Sequence, residues 1–257
     1  MSKIALFLSS NNAQQVSSNG SVATYEISPS INLNPQRNYY LKLKDCAIPY
    51  VSPNITATSY NKFSFNYENV LYEFTLPVGL YTIESIQMFI NNSIDTTLQS
   101  NTNLLLIEPN TATGQIVMTC TTKITNFNFT MDNSQGSNVF GILGFATNQT
   151  FGASYAGISI TSSNQAMLNV LETLYIGLDI VSTSCIGNGY RSICESIVPN
   201  VAPYSTISMS QKFNLMETLV NRSQIDAVTV SLYDQNFNII DLRGEIFSVT
   251  IQIEVDK

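Results

Sequence analysis

The stretch that decides the fold is Asn221–Lys257, which reads NRSQIDAVTVSLYDQNFNIIDLRGEIFSVTIQIEVDK. It holds two runs rich in β-branched residues, in which polar and apolar side chains alternate as they do in half-buried strands. The break between the runs, 234–238, has the Asp and Asn chemistry of a turn. We therefore predict a closing antiparallel hairpin with one apolar face, and the earlier chain must supply an opposing sheet to cover that face.

The second run, 246–255, alternates without interruption. It contains no proline or glycine, and Glu254 is its only charged residue. Because edge strands normally carry lysine, proline or a bulge, this run is predicted to be a central strand paired on both sides. The residues expected to point into the core are Phe247, Val249, Ile251 and Ile253. In the first run, Val228, Val230 and Leu232 are expected on one face, and Ile225, Ala227, Thr229, Ser231 and Tyr233 on the other.

Short strand patterns separated by turn residues fill the rest of the chain. Residues 62–67 and 70–76 predict a hairpin around Glu68 and Asn69, whereas 182–203 reads as a long loop. The alternation over 39–48 sets Leu41 and Leu43 against Cys46 and predicts a further strand. With eight to ten strands and no alternation of strands with helices, the sequence indicates an all-β, antiparallel sandwich of jelly-roll type. A Greek-key sandwich is the alternative.

One helix interrupts the strands. Thr82 is a good N-cap, and apolar residues at helical spacing continue from it to about Leu98. Since its polar face carries almost no charge, we expect this helix to press against a sheet edge or a neighbouring element rather than to be freely solvated. We predict a single jelly-roll domain over 1–257, in which 80–165 could be an inserted or elaborated region.

Composition excludes several classes of function. The chain has 257 residues and a net charge of −7, from 11 Lys and Arg against 18 Asp and Glu. This balance disfavours direct binding to nucleic acid and to anionic membranes, which both require clustered cations. The apolar run Ile4–Leu8 is too short for a signal peptide or a membrane span, so it predicts a first strand and no membrane insertion. A charged fraction of only 11% permits large, flat protein contacts.

Catalysis finds little support in the residues. The absence of histidine removes Ser-His-Asp and Cys-His chemistry and His-ligated zinc. The candidates for acid–base work are the carboxylates near the closing hairpin, namely Asp226, Asp234, Asp241 and Glu245. Their positions beside turns and at a strand start favour structural roles. We predict that the chain is not an enzyme and has no catalytic residues.

The sequence gives equally little support for ligand-binding sites. Asp234 with Asn236 and Asn238 could hold Ca²⁺, but the segment lacks the glycine and terminal glutamate of a calcium loop. The glycines of 187–191 lack the strand–turn–helix context of a phosphate site. Tyrosine and phenylalanine could form a sugar-stacking platform, although their strand positions favour core packing. We therefore predict no cofactor-binding or metal-binding residues and no cofactor.

Two further sets of residues are expected to have structural roles. Lys42 and Lys44 share a predicted strand face and are expected to protect a sheet edge. The cysteines form no CxxC pair; a bond from Cys185 to Cys194 is conceivable, but we expect all the thiols to be free. These are Cys46, Cys120, Cys185 and Cys194.

Three segments together carry a resemblance to a family. They are YEFTLPVGLYTIESIQMFIN at Tyr72–Asn91, ILGF at Ile142–Phe145, and DQNFNIIDLRGE at Asp234–Glu245. Over roughly residues 40–257 the chain resembles the single jelly-roll minor capsid (penton) proteins of virophages and Polinton/Maverick-type viruses, in particular those of Mavirus type.

This resemblance implies a structural virion protein without catalytic residues, made in the host cytoplasm. It implies a homopentamer that fills the icosahedral vertices of the capsid and packs against the major capsid protein. A receptor- or carbohydrate-binding β-sandwich of a virus spike is the alternative, and a carboxylate hydrolase is the third hypothesis. Self-assembly, glycan binding and turnover that depends on Asp241 or Glu245 discriminate among the three.

Overall fold

The computed structural model describes residues 3–131, 138–146, 149–168, 171–186, 189–202, 204–210 and 217–255. Almost all regular structure in these residues is β. In chain order the strands are β1 (Lys3–Ser9), β2 (Gln15–Val16), β3 (Val22–Asn32), β4 (Tyr39–Pro49), β5 (Lys62–Tyr67), β6 (Val70–Thr75), β7 (Leu105–Pro109), β8 (Gln115–Cys120), β9 (Phe127–Met131), β10 (Gln149–Gly152), β11 (Ser159–Gln165), β12 (Leu174–Leu178), β13 (Ser184–Ile186), β14 (Gly189–Arg191), β15 (Ile193–Ile197), β16 (Thr206–Ser210), β17 (Thr218–Leu219), β18 (Gln224–Tyr233) and β19 (Ser248–Val255). The helices are α1 (Ile83–Leu98), α2 (Val139–Ile142) and a 3₁₀ turn over Ser10–Asn12.

The chain divides into two compact units. Unit 1 combines Met1–Ser52 with Leu171–Lys257, and unit 2 is the continuous segment Pro53–Val170. Unit 1 is therefore assembled from two segments that are far apart in sequence.

Unit 1 is a jelly roll. One sheet has the order β1-β19-β4-β16, with β17 also on β4, and the other has the order β15-β12-β18-β3-β2. If the eight principal strands β1, β3, β4, β12, β15, β16, β18 and β19 are counted from first to eighth, the sheets run first–eighth–third–sixth and fifth–fourth–seventh–second. Successive strands thus cross repeatedly between two antiparallel sheets, which is the jelly-roll arrangement. The predicted fold class is confirmed.

The last two strands do not form the predicted hairpin. β18 pairs with β3 and β12, whereas β19 pairs with β1 and β4 in the other sheet. The apolar faces of both strands are buried in one core cluster, so the strands lie in opposed layers and cannot pair edge to edge. The connection folds back as far as Ile240, whose N–H donates to Leu232 O at 3.2 Å, and then turns at Arg243 and Gly244, which both have positive φ.

The central position predicted for the last strand is confirmed. β19 has a strand on each side, and Phe247, Val249, Ile251 and Ile253 are at most 1% exposed. Unbroken alternation therefore placed this strand and its buried face correctly.

Two register irregularities overturn face assignments made from strict alternation. In β4, Asp45 pairs with Thr250 and Leu43 with Ile251, which leaves Lys44 as an extra residue. This bulge turns Cys46 onto the same buried face as Leu43. Because β4 is an interior strand, Lys42 and Lys44 do not protect an edge, and that prediction was wrong.

The second irregularity lies at the start of β18. The register with β3 shifts between Ile225 and Ala227, so Ile225 is fully buried together with Val228 instead of facing the opposite side. The long loop predicted over 182–203 was also wrong, since it contains β13, β14 and β15 and the last of these forms the outer strand beside β12.

Unit 2 contains a four-stranded sheet, β10-β9-β5-β6, and a three-stranded sheet, β11-β8-β7. The predicted β5–β6 hairpin is confirmed, and Glu68 and Asn69 at its tip both have positive φ, as a type I′ turn requires. The predicted helix is also confirmed: Thr82 caps α1, and Ser85 completes the capping box.

Helix α1 covers the free edge of β7, as its uncharged polar face predicted. The Asn91 side chain donates to Leu105 O at 2.8 Å and accepts from Leu105 N at 2.9 Å. Gln87 Oε1 accepts from Ile107 N at 2.7 Å. Amide side chains thus replace the missing strand at this edge.

Candidate functional site

The carboxylates considered for catalysis take part in local turns. Asp234 Oδ1 accepts from the N–H groups of Asn236 and Asn238, both at 2.8 Å, and Asp241 Oδ1 accepts from Arg243 N at 2.8 Å. Asp226 and Glu245 are exposed. Asp234 and Asp241 thus stabilise turns in the connection between the two sheets.

The side chains of Asp234 and Asn238, considered as Ca²⁺ ligands, are also engaged in local hydrogen bonds. Asp234 Oδ2 accepts from Asn238 Nδ2 at 3.1 Å, so this carboxylate is engaged by donors of its own loop. Within the described part of the chain, no group of three or more Cys, Asp or Glu residues is placed to hold a metal ion. The glycine-rich segment 187–191 lies partly outside the described residues.

The cysteines whose side chains are described are buried and free. Burial raises the pKa of Cys46 and of Cys120 to about 11, and it also raises the pKa of Cys194. A thiol held in its neutral form is a poor nucleophile, so these residues act as small apolar core groups. The side chain of Cys185 lies outside the described residues, and its state stays a prediction.

Charges on β1, β19 and β4 are joined in one network. Lys3 Nζ lies 2.8 Å from Glu254 Oε1, and Lys42 Nζ lies 3.3 Å from Glu254 Oε2 and 2.7 Å from Glu217 Oε1. Hydrogen bonding to Glu217 raises the pKa of Lys42, and the hydrogen bond from Lys3 lowers the pKa of Glu254. The network neutralises charges on the outward face of this sheet and leaves it suited to weakly charged contacts.

Several large apolar side chains remain exposed. Phe7 on β1 is 81% exposed, and Val70 and Leu71 on β6 are 51% and 52% exposed. Most phenylalanines of unit 2, by contrast, pack on one another in its core, as the strand positions predicted. The exposed groups are therefore candidates for contacts with other chains.

A groove of about 400 Å³ lies in unit 2 beside the β5–β6 hairpin. Lys62, Ser64, Leu71, Glu73 and Thr75 are among the residues that line it. Sequence reasoning identified the hairpin but not this groove, because the groove depends on which strand of the sheet is left at the edge. The available signal was the low charge and the apolar start of 70–75.

Comparison with known proteins adds to this geometry. No protein-family model matches the chain, and no curated protein sequence is similar to it. Among solved structures, the chain is similar to the crystal structure of the selenomethionine-labelled mavirus penton protein, with 12% identity and a TM-score of 0.55. The match covers 99% of this chain and 100% of that one. The chain has a penton-like jelly-roll fold.

An identity of 12% establishes the likeness at the level of fold. The full-length coverage means that the similarity includes unit 2 as well as the jelly roll of unit 1. Among the described residues, no helix combines the length and apolar character needed to cross a bilayer.

Proposed function

We propose that this chain is a minor capsid protein of a virophage-type virus, a penton that forms homopentamers at the icosahedral vertices and packs against the major capsid protein. In this role it is a structural virion protein without enzymatic activity. It neither binds nucleic acid directly nor inserts into a membrane.

One observation carries the proposal: an eight-strand jelly roll whose structural similarity to a penton protein extends over essentially the whole of both chains. Jelly rolls are used for several functions, lectins among them, so the fold alone does not choose between them. Similarity that extends through unit 2 favours the penton role over the spike module considered as the alternative.

The surface chemistry supports assembly. Ion pairs already join Lys3, Lys42, Glu217 and Glu254 on the β1–β19–β4 face, so a contact there desolvates fewer free ions. A net charge of −7 disfavours a direct role in binding the genome. The free, buried thiols suit synthesis in the reducing host cytoplasm before incorporation into the virion.

We further propose that residues 53–170 are an elaboration carried by the jelly roll between β4 and β12. The support is that this segment is continuous and has its own hydrophobic core, whereas unit 1 needs the chain on both sides of it. Its limits differ from the 80–165 inferred from sequence, because the β5–β6 hairpin belongs to the same core as α1.

Native mass spectrometry of the purified chain over a range of concentrations tests the oligomer. Five copies of 28.3 kDa give about 142 kDa, and this species is expected to grow with concentration. Heterologous contacts that close produce a ring, so monomer and pentamer should dominate. A series of dimers and tetramers, or a monomer that persists when the major capsid protein is added, would contradict the proposal.

A further inference from the structure

The second strand of the β5–β6 hairpin is an open edge. The other sheet edges of unit 2 are protected against pairing with another strand. Helix α1 covers β7, and the register of β11 is irregular. Strand β10 spans only four residues and ends at Gly152. In contrast, β6 is a six-residue strand in continuous register with β5. It contains no lysine, proline or glycine. The same features correctly placed β19 between two neighbours, yet β6 has only one neighbour in the described part of this chain.

The pairing register identifies the backbone groups on the open side. Val70 pairs with Tyr67 across a two-residue turn, and Leu76 N donates to Asn61 O at 2.6 Å. The backbone hydrogen bonds to β5 are therefore made by residues 70, 72, 74 and 76. The backbone N–H and C=O groups that point away from β5 belong to Leu71, Glu73 and Thr75. None of these six groups has a hydrogen-bond partner among the described residues.

Side chains beside this edge offer specific contacts. Leu71, Glu73 and Thr75 point to one face of the sheet and line the groove of about 400 Å³. Leu71 is 52% exposed, and Glu73 is exposed and makes no ion pair with any described residue. Lys62 lines the same groove, but it forms no ion pair with Glu73. On this face an added strand would thus meet an apolar, an acidic and a hydroxyl side chain in succession.

We propose that β6 binds an extended segment of another protein as an additional antiparallel strand. The segment places a basic side chain opposite Glu73 and an aliphatic side chain opposite Leu71. Its backbone satisfies the three N–H and three C=O groups on the open side, and the alternate side chains enter the groove. This is strand addition, in which main-chain hydrogen bonds give affinity and side-chain pockets give specificity.

Charge disfavours a second copy of β6 as the occupant. Antiparallel pairing of two β6 strands over their full length sets Leu71 opposite Thr75 and Glu73 opposite Glu73. Two like charges directly opposite each other destabilise the pair. Shifting the register by two residues separates the carboxylates but leaves either Thr75 or Leu71 with no strand residue opposite it. The edge is therefore complementary to a basic segment rather than to itself.

A fluorescein-labelled peptide, Ser-Thr-Val-Lys-Val-Val-Ser, serves as the probe, and fluorescence anisotropy measures its binding to the full chain. Its lysine lies opposite Glu73 when its threonine lies opposite Thr75. We expect saturable binding below roughly 1 mM. N-methylation of the lysine and the sixth residue removes N–H groups that face β6 and should abolish binding. The matched control, N-methylated at the third and fifth residues, loses only N–H groups that face away and should still bind.

Variants of the protein test the same edge. Thr75→Pro removes one outward N–H group and should weaken binding at least about tenfold, whereas Thr75→Val keeps that group and should bind like the wild type. Glu73→Lys should reject the lysine peptide and accept the same peptide with glutamate in place of lysine. Thermal unfolding checks that each variant is folded; if Thr75→Pro is not, the two N-methylated peptides decide the matter.

Three results would overturn the proposal. These are no saturable binding of the probe, equal binding of the two N-methylated peptides, and dimerisation of the wild type that Thr75→Pro abolishes. The last result would assign the edge to a second copy. None of these measurements depends on the formation of a pentameric ring. Strand addition at β6 can therefore be disproved while the proposed pentamer is supported, and the reverse also holds.

Discussion

The two compact units bury their cores with different chemistry. In unit 1 the core is mainly aliphatic, and among the described side chains its buried aromatic residues are Tyr25, Tyr50 and Phe247. In unit 2 seven phenylalanines are buried. The ring centroid of Phe129, for example, lies 5.0, 5.7 and 6.1 Å from those of three other phenylalanines. The jelly roll relies on strand pairing between the two ends of the chain, whereas unit 2 is a continuous segment organised around an aromatic cluster. The two units therefore depend on different parts of the chain and can be destabilised separately.

The largest expected effect is the selective loss of unit 1. A chain that ends after Gly244 lacks β19, which leaves β1 and β4 with unpaired backbone groups and opens the core. We expect calorimetry to show no unfolding transition for unit 1 but a transition for unit 2. A chain that ends after Val255 is the control and should keep both. A full-amplitude transition in the chain ending after Gly244 would show that the jelly roll does not depend on β19.

Single core truncations should separate the units in the same way. Ile251→Ala should lower the free energy of unfolding of unit 1 by about 2 to 5 kcal/mol, because it leaves a cavity between the sheets. Phe129→Ala should lower that of unit 2 by about 3 to 5 kcal/mol. Urea unfolding measures both, with Phe7→Ala as an exposed control expected to change stability by less than about 0.5 kcal/mol. If either core variant destabilised both units equally, they would form one cooperative unit.

The covered edge of unit 2 should show an intermediate effect. Asn91→Ala leaves the N–H and C=O groups of Leu105 without their partners, so we expect a loss of about 2 to 3 kcal/mol. Asn92→Ala, at the exposed neighbouring position, should cost much less. Amide hydrogen exchange should also be faster at Leu105 in the first variant only. Equal behaviour of the two variants would mean that α1 does not close this edge.

The smallest expected effect is a pH dependence of the stability that Glu254 contributes. Hydrogen bonding to Lys3 lowers the pKa of Glu254 in the folded state, so its contribution is present above the unfolded value near 4.3 and is lost as the pH falls through the folded value. Glu254→Gln should therefore destabilise unit 1 by less than about 1 kcal/mol at pH 6 and by less still at pH 3. Urea unfolding at the two pH values measures this. A larger difference at pH 3 than at pH 6 would contradict the assignment.

Local signals in the sequence predicted the elements well. The N-cap at Thr82 with the apolar spacing behind it located α1, and the two-residue turn at Glu68 and Asn69 located the β5–β6 hairpin. Alternation over 246–255 also gave the correct buried face of β19. These features depend on neighbours a few residues apart, which the sequence displays directly.

Pairing over long distances was not accessible in the same way. Periodicity shows that 224–233 and 248–255 are strands, but it does not show that they belong to opposite sheets. The bulge at Lys44 follows from the register with β19 rather than from the residues around it. The open edge of β6 was missed for the same reason, since an edge is a property of the whole sheet.

The vertices of the virus particle provide the most direct test of the proposed function. Single-particle cryo-electron microscopy of particles that contain this chain would resolve the density at each five-fold axis. We predict five copies around the axis, each with the jelly roll of unit 1, in contact with the neighbouring major capsid protein. Five-fold vertices filled by another protein, with this chain absent from the capsid shell, would contradict the account.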